Sequence, residues 1–456
     1  MTVKIMTEYA VTSPPKHHFF GFHDLVAWNA SGNKLLALET DRIDVPVYPG
    51  QKAGIGYVDC TSGRFVKVGE TNAFNYPQGA RQQWVGDTDI FTVNDQVGDK
   101  WGCRVYDAGS HECVAELEHP AHVVDGRTHD CFGINYARLF RLGAYGYAGL
   151  PDETAGDNLP SNDGIVKHNI ETGKAQMIIS IRDVAEKETG SGFGKYTHYV
   201  THLALDPSGT RVAFLHRYRT GEGEVTRLMT VGTDGSNLRC LASGFLSHFD
   251  WMDNCHLMIW GRSGSAVEKL RGSRLYSLVP RVFLRVAKRG VKRILRGGTI
   301  CRGAGACRWL VFRDREPTEM RPIAEHINED GHLMFCPANR DWMVCDNYPD
   351  EHGVRTLFLY QFSQNRRIDI GSYKRLFKKP DMAEAKRAME SVDMSALYAA
   401  DFQLLAFTRS GLHCDLHPRW KSDGTQISFD SIHEGTRQIY VIDVTPLMKT
   451  DKGGIG

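Results

Sequence analysis

Short runs in which apolar and polar residues alternate recur along this chain, broken by Ser-Gly, Asp-Gly and Asp-Asn pairs, and they predict hairpins of antiparallel strands. One phrase returns: a polar residue, an aromatic or aliphatic residue at a fixed step, a turn, then a β-prone stretch. His417-Pro-Arg-Trp420-Lys-Ser-Asp-Gly424 leads into Thr-Gln-Ile-Ser-Phe-Asp, and His202-Leu-Ala-Leu205-Asp-Pro-Ser-Gly209 leads into Thr-Arg-Val-Ala-Phe-Leu. His332 stands three residues before Phe335, His248 three before Trp251 and Arg81 three before Trp84, while His23 fits two residues early, before Trp28 and Ser31-Gly32. A seventh unit falls between Cys131 and Lys174. Second hairpins follow several of these phrases, so each unit offers about four strands. The prediction is an all-β fold, a single seven-bladed β-propeller over 1–456 with blades across about 17–450 and short helical insertions.

Two stretches break the pattern. Between Val267 and Arg296, apolar residues follow helical spacing and ten Lys or Arg stand against one Glu, a local +9 in a chain whose total is +1. This predicts a basic amphipathic helical insertion at 267–296, suited to contact with an anionic membrane surface. No nucleic-acid-binding motif accompanies it, and nucleic acid is not expected as a partner. Residues 376–398 have the composition of a second helical insertion.

Composition adds a few bounds. Hydrophobic residues make up 41% and charged ones 24%, as in a globular chain with a large core, and the 46 glycines are scattered as many tight turns require. The first residues lack a secretory pattern, so the expectation is a cytoplasmic protein, peripheral at the inner membrane face if the basic helix lies on lipid. Eleven cysteines without regular spacing then read as thiols.

The repeated phrase carries the candidate chemistry. In a propeller the first strand of every blade lines the central channel, so His23, Arg81, His202, His248, His332 and His417 should converge at one mouth. A repeat can also recycle a polar residue merely to satisfy backbone groups. Cys414 lies three residues before His417, and with His248 and His332 the set His248, His332, Cys414, His417 suits a divalent metal. Three imidazoles and a thiolate favour zinc, with manganese or calcium as alternatives. On neighbouring strands His202 and Arg217 can face one ligand, the arginine gripping a carboxylate and the histidine removing a proton. Arg81 offers a second carboxylate contact and Tyr196 or Tyr136 a proton for a leaving group, while His23, His198 and Tyr136 are candidate substrate contacts.

Gly21-Phe-His-Asp24, Ser247-His-Phe-Asp-Trp251, Asp330-Gly-His332 and Cys414-Asp-Leu-His-Pro-Arg-Trp420 with Ser422-Asp-Gly424 resemble the β-propeller polysaccharide lyases, the oligogalacturonate and ulvan lyases. The resemblance runs from about His17 to Val444 and is sharpest at its end. It implies β-elimination of a uronate-containing oligosaccharide or polysaccharide, metal ligands at His332 and His417, a functional His248 and a substrate contact at Arg217. The chain differs in offering Cys414 and a single His417 where oligogalacturonate lyases use a glutamine and two closely spaced histidines. The alternative expectation is a non-catalytic propeller that binds a sugar or a protein and keeps a structural metal.

Overall fold

The computed structural model describes residues 6–187, 193–220, 223–263, 307–376, 378–392 and 402–448. The basic stretch at 267–296 lies outside them, as does the end of the second insertion. The described residues form mostly antiparallel β structure in six sheets, taken up in chain order. Sheet one comprises His17–Phe19, Lys34–Thr40, Ala53–Asp59 and Arg64–Thr71. Sheet two runs Gln83–Trp84, Ile90–Val97, Lys100–Asp107 and Cys113–Leu117, and sheet three Val123–Asp125, Asp130–Gly133, Gly164–Asn169 and Ala175–Ser180. Sheet four has seven strands, from His198–Leu205 to Met320–Pro322. Its 13-residue strand Arg239–Trp251 pairs with Gly223–Gly232 through Arg239–Gly244 and with His256–Ser263 through Gly244–Trp251. Sheet five is Leu333–Phe335, Trp342–Asp346, Val354–Gln361 and Arg366–Lys374. Sheet six joins Arg419–Trp420, Gln426–Ser431 and Gln438–Asp443 to the N-terminal strand Thr7–Ala10, so the two ends of the chain share one sheet.

The fixed step in the repeated phrase has a physical cause. Trp84 donates its indole N–H to the carbonyl of Ala27 at 2.9 Å, Trp251 to Ala204 at 3.1 Å and Trp420 to Met334 at 3.1 Å. Each tryptophan, three residues after Arg81, His248 or His417, thus fastens one repeat to the repeat before it. A buried indole keeps its one donor satisfied while its ring fills the space between sheets. The polar residue that opens the phrase sits where the backbone turns sharply: Arg81, His202 and His417 have φ of 53°, 57° and 44°. The ladder shifts register between Thr201 and Ala204 and again between Leu246 and Phe249, bracketing His202 and His248. Bulges of this kind re-aim a side chain without ending the strand.

Short helices interrupt the sheets. Helix α1 (Tyr136–Arg141) is capped by Asn135, and α2 (Ile181–Glu186) by a capping box between Ser180 and Asp183. Helix α3 (Met382–Ala388) falls inside the second predicted insertion, and α4 (Phe402–Arg409) follows it. No helix among the described residues is long and apolar enough to cross a membrane.

Sheet six is tied to sheet one by a buried carboxylate. Asp430 pairs with Arg419 at 2.7 Å and Arg437 at 3.3 Å, and it accepts the backbone N–H groups of Phe20 at 3.2 Å and Gly21 at 3.3 Å. Gly21, at φ 119°, passes so close to Gln78 that a Cβ would lie 2.5 Å from its backbone. Removing one partner of such a network leaves the others charged and buried. Asp430→Ala should therefore lower the unfolding free energy by about 3–5 kcal/mol, read from urea denaturation.

Candidate functional site

Four histidines meet in one cluster: His248 from a strand of sheet four, and His23, His332 and His417 from turns and loops outside the strands. The rings of His248 and His332 are 4.3 Å apart, as are those of His332 and His417, and His23 lies 5.9, 5.4 and 6.0 Å from these three in turn. Phe22, 4% exposed, packs against all four rings and against His202 at 5.3 Å.

Each of the four is held through Nδ1. His23 bonds to the Leu333 carbonyl at 2.6 Å, His417 to the Gly21 carbonyl at 2.9 Å, His332 to Asp346 Oδ1 at 2.8 Å and His248 to Asp330 Oδ1 at 3.0 Å. A carbonyl or carboxylate oxygen only accepts, so in the neutral ring Nδ1 carries the proton and Nε2 keeps its lone pair. The Nε2 of His23 is buried without a partner. Asp346 does more than orient His332: it accepts the backbone N–H of His332 at 2.8 Å, of Leu416 at 3.1 Å and of His417 at 3.3 Å. One buried carboxylate thereby places two of the histidines.

The charges around the ring are uneven. Burial, reinforced by neighbouring histidines, holds His23 and His417 well below the usual histidine range. Burial opposes the charge on His332 too, yet Asp346, Asp415 and Asp330 raise it above the ordinary value. Asp415 is buried, but His413 and Arg355 hold its carboxyl well below the usual carboxylate range. Tyr348, 40% exposed, lies 5.3 Å from the His332 ring and 6.0 Å from His248. Desolvation of its hydroxyl and the carboxylates of Asp415, Asp330 and Asp346 push it well above the ordinary phenol value.

His332, Asp415 and His417 present ligand atoms within 4.8 Å of one another. Anchored imidazoles with free Nε2 atoms, an ionised carboxylate and an orphaned Nε2 on His23 form a donor set that fits a divalent cation. Asp253, Cys255 and His256 make a second group of donors on an outer turn.

His202 also packs against Phe22. Burial and the charge of the neighbouring Arg217 hold it well below the usual histidine range, and its Nδ1 is 2.9 Å from the Thr201 hydroxyl. Arg217 is aligned with Tyr199 across the strand pair, its Nη1 is 3.6 Å from Glu224, and its Nε is buried without an acceptor.

No protein-family model matches the chain, and no curated protein matches it in sequence. Solved structures do. An oligogalacturonate lyase from Vibrio parahaemolyticus is similar over 97% of this chain and 95% of its own, with 14% identity and a TM-score of 0.56. An oligogalacturonate lyase in complex with manganese is similar over 96% of both chains, at 14% identity and a TM-score of 0.57. The chain has the fold of oligogalacturonate lyase. A hydrazine synthase from Kuenenia stuttgartiensis follows at 8% identity and a TM-score of 0.44, over 92% of this chain and 95% of its own.

Not every expected site residue reaches the mouth. Arg81 is fully buried and committed, its Nη1 and Nη2 gripping Asp24 at 2.8 and 2.9 Å and its Nε donating to the His122 carbonyl at 2.9 Å, so it has no free fork for a substrate. Tyr136, 1% exposed, stacks on Tyr147 at 4.1 Å with its hydroxyl 2.7 Å from His122 Nδ1. It belongs to a core, not to a substrate surface. His198 is buried against His216, with rings 5.1 Å apart, and Tyr196 stacks on Tyr218 at 5.9 Å. This aromatic group lies apart from the ring contacts of the mouth.

Cys414 is the clearest correction. Its thiol packs in an apolar core with Leu412, Ile432 and Ile439, and burial pushes it up to about 11. Successive residues of an extended chain face opposite ways, so it is Asp415, next in the same phrase, that joins the donors beside His417. Asp346, Phe22 and Tyr348 lie outside the polar position of the repeated phrase, so its spacing does not single them out, although Phe22 sits inside Gly21-Phe-His-Asp24. Iodoacetamide at pH 8 with peptide mapping should label the exposed Cys60 and Cys113 and leave Cys414 unmodified until the protein is denatured. Native labelling of Cys414 would contradict its place in the core.

Proposed function

We propose that the chain is a lyase that cleaves a uronate-containing glycan by β-elimination at the histidine-lined mouth of a seven-bladed β-propeller. The long strand Arg239–Trp251 supports the blade count: if its two halves belong to different blades, the seven-stranded sheet counts as two beside five others. The observation that carries the catalytic reading is a neutral His202 beside Arg217, whose Nε–H lacks an acceptor.

A proton α to a carboxylate is weakly acidic, and a cation on that carboxylate lowers the barrier to its removal. Arg217 grips the uronate carboxylate and His202 takes the C5 proton through Nε2. The electron pair of the C5–H bond becomes the C4=C5 double bond, and the C4–O bond breaks. The leaving oxygen takes its proton from Tyr348, whose hydroxyl keeps that proton at neutral pH. A divalent cation held by His332, His417 and Asp415, with His23 or His248 adjoining, would supply Lewis-acid polarisation of the same carboxylate. The site of action is proposed from the sequence alone: the cytoplasm, with the basic 267–296 stretch against anionic lipid.

A second reading has its own support. The bonds from His23 to Leu333 and from His417 to Gly21 join separate parts of the fold, as a structural ring would in a binding propeller that cleaves nothing.

Absorbance of the unsaturated uronate product, followed over a panel of uronate oligosaccharides and polymers, tests the lyase. A rise is expected with at least one glycan, and His202→Ala or Arg217→Ala should slow it by about 100-fold or more. A flat trace from folded, metal-loaded protein would leave the binding propeller. Calorimetric titration of metal-free protein with manganese or zinc should show a bound cation. Asp346→Asn should weaken it by about 10–100-fold, because His332 and His417 lose their common anchor.

A further inference from the structure

Three arginines beside the mouth carry more charge than their surroundings neutralise. Arg217 and Arg219 are two apart on one strand and share a face. Both draw on a single carboxylate, Glu224, whose Oε1 is 3.6 Å from Arg217 and whose Oε2 is 3.4 Å from Arg219 Nε. The Tyr199 hydroxyl donates to that same Oε2 at 2.6 Å. Arg409 is the last residue of α4. Arg219 and Arg409 donate to consecutive carbonyls, those of Leu142 and Gly143, just past the end of α1, and this holds the two guanidinium groups side by side.

Arg409 lies 4.4 Å from the centre of the Tyr145 ring and forms no ion pair among the described residues. Each arginine also keeps a buried N–H group without an acceptor: Nε of Arg217, Nη1 of Arg219 and Nη1 of Arg409. Leaving charged donors unmatched is costly, and water satisfies N–H groups without neutralising the charge. Planar guanidinium forks match oxyanions.

We propose that Arg219 and Arg409, adjoining Arg217, form an oxyanion subsite that takes the carboxylate of a second uronate residue, next along the glycan to the one cleaved. The identity of the anion rests on the lyase reading; the subsite itself rests on the arginines. An enzyme built this way prefers oligomers with consecutive acidic sugars over those in which acidic and neutral sugars alternate.

Two measurements on the full chain separate the possibilities. Thermal unfolding in sodium sulfate against sodium chloride at matched ionic strength should show extra stabilisation by sulfate, lost in Arg219→Met and Arg409→Met. Calorimetry in the His202→Ala background, where cleavage is slow, should then show trigalacturonate binding, about 10–100-fold more weakly once Arg219→Met or Arg409→Met is added, while monomeric galacturonate binds all three proteins alike. Trimer affinity unchanged in both variants overturns the subsite and leaves the lyase reading intact. A sulfate effect that depends on the arginines, with no uronate bound in that background, overturns the carboxylate assignment together with the lyase reading and leaves a site for inorganic anions. If a methionine variant does not fold, Arg409→Lys and Arg219→Lys carry the same test, since lysine keeps the charge and stem but loses the fork.

Discussion

His417 donates through Nδ1 to the carbonyl of Gly21, and His23 donates to the carbonyl of Leu333, so each bond ties a residue of the central ring to another part of the circuit. Asp346 works in the same sense, since it gathers the backbone before sheet six onto sheet five while it orients His332. Closure of the fold and aim of the imidazoles are therefore one constraint. A ring nitrogen spent on holding neighbouring sheets together fixes the tautomer, and the other nitrogen is presented to the centre as an acceptor. A fold that closed more loosely would lose the site before it lost its sheets.

The histidine cluster has two electrostatic parts, and Phe22 contacts the rings of both. Asp330, Asp346 and Asp415 surround His248 and His332, and they raise His332 against the cost of burial. Arg217 stands beside His202, which burial and that charge push down. The same side-chain type thus meets opposite fields around one ring, Phe22, that contacts both. Arg81 does not add to the basic half, because Asp24 matches it in a bidentate pair. Arg217 and Arg219 share one carboxylate, Glu224, and each of Arg217, Arg219 and Arg409 keeps a buried N–H without an acceptor.

Much of the fold was legible because the repeated phrase is physical. Its tryptophans fasten one repeat to the next, its glycines turn hairpins, and its opening residue sits at a sharp bend or bulge, so His23, His202, His248, His332 and His417 could be placed together from spacing alone. Spacing says where a residue stands on its strand, not what its side chain is already committed to. Arg81 occupies the right position and is lost to Asp24. Tyr136 and His198 were chosen by chemistry without a repeat position, and both are buried among aromatic neighbours. Asp346 and Tyr348 reach His332 from positions that the spacing of the repeated phrase does not record.

The preference for zinc depends on sulfur, and the fold removes the sulfur. A thiolate beside three imidazoles would select a soft or borderline ion. With Cys414 turned into the core, the residue beside His417 is the Asp415 carboxylate, already ionised by Arg355 and His413. Imidazole and carboxylate together no longer discriminate against harder cations, and selection passes to ligand number and geometry. The rings of His332 and His417 are 4.3 Å apart and each is anchored through Nδ1, so the Nε2 atoms of His23 and His248 decide whether a third imidazole completes the set. A single residue's facing in the phrase Cys414-Asp-Leu-His417 therefore changes which class of ion the site can favour.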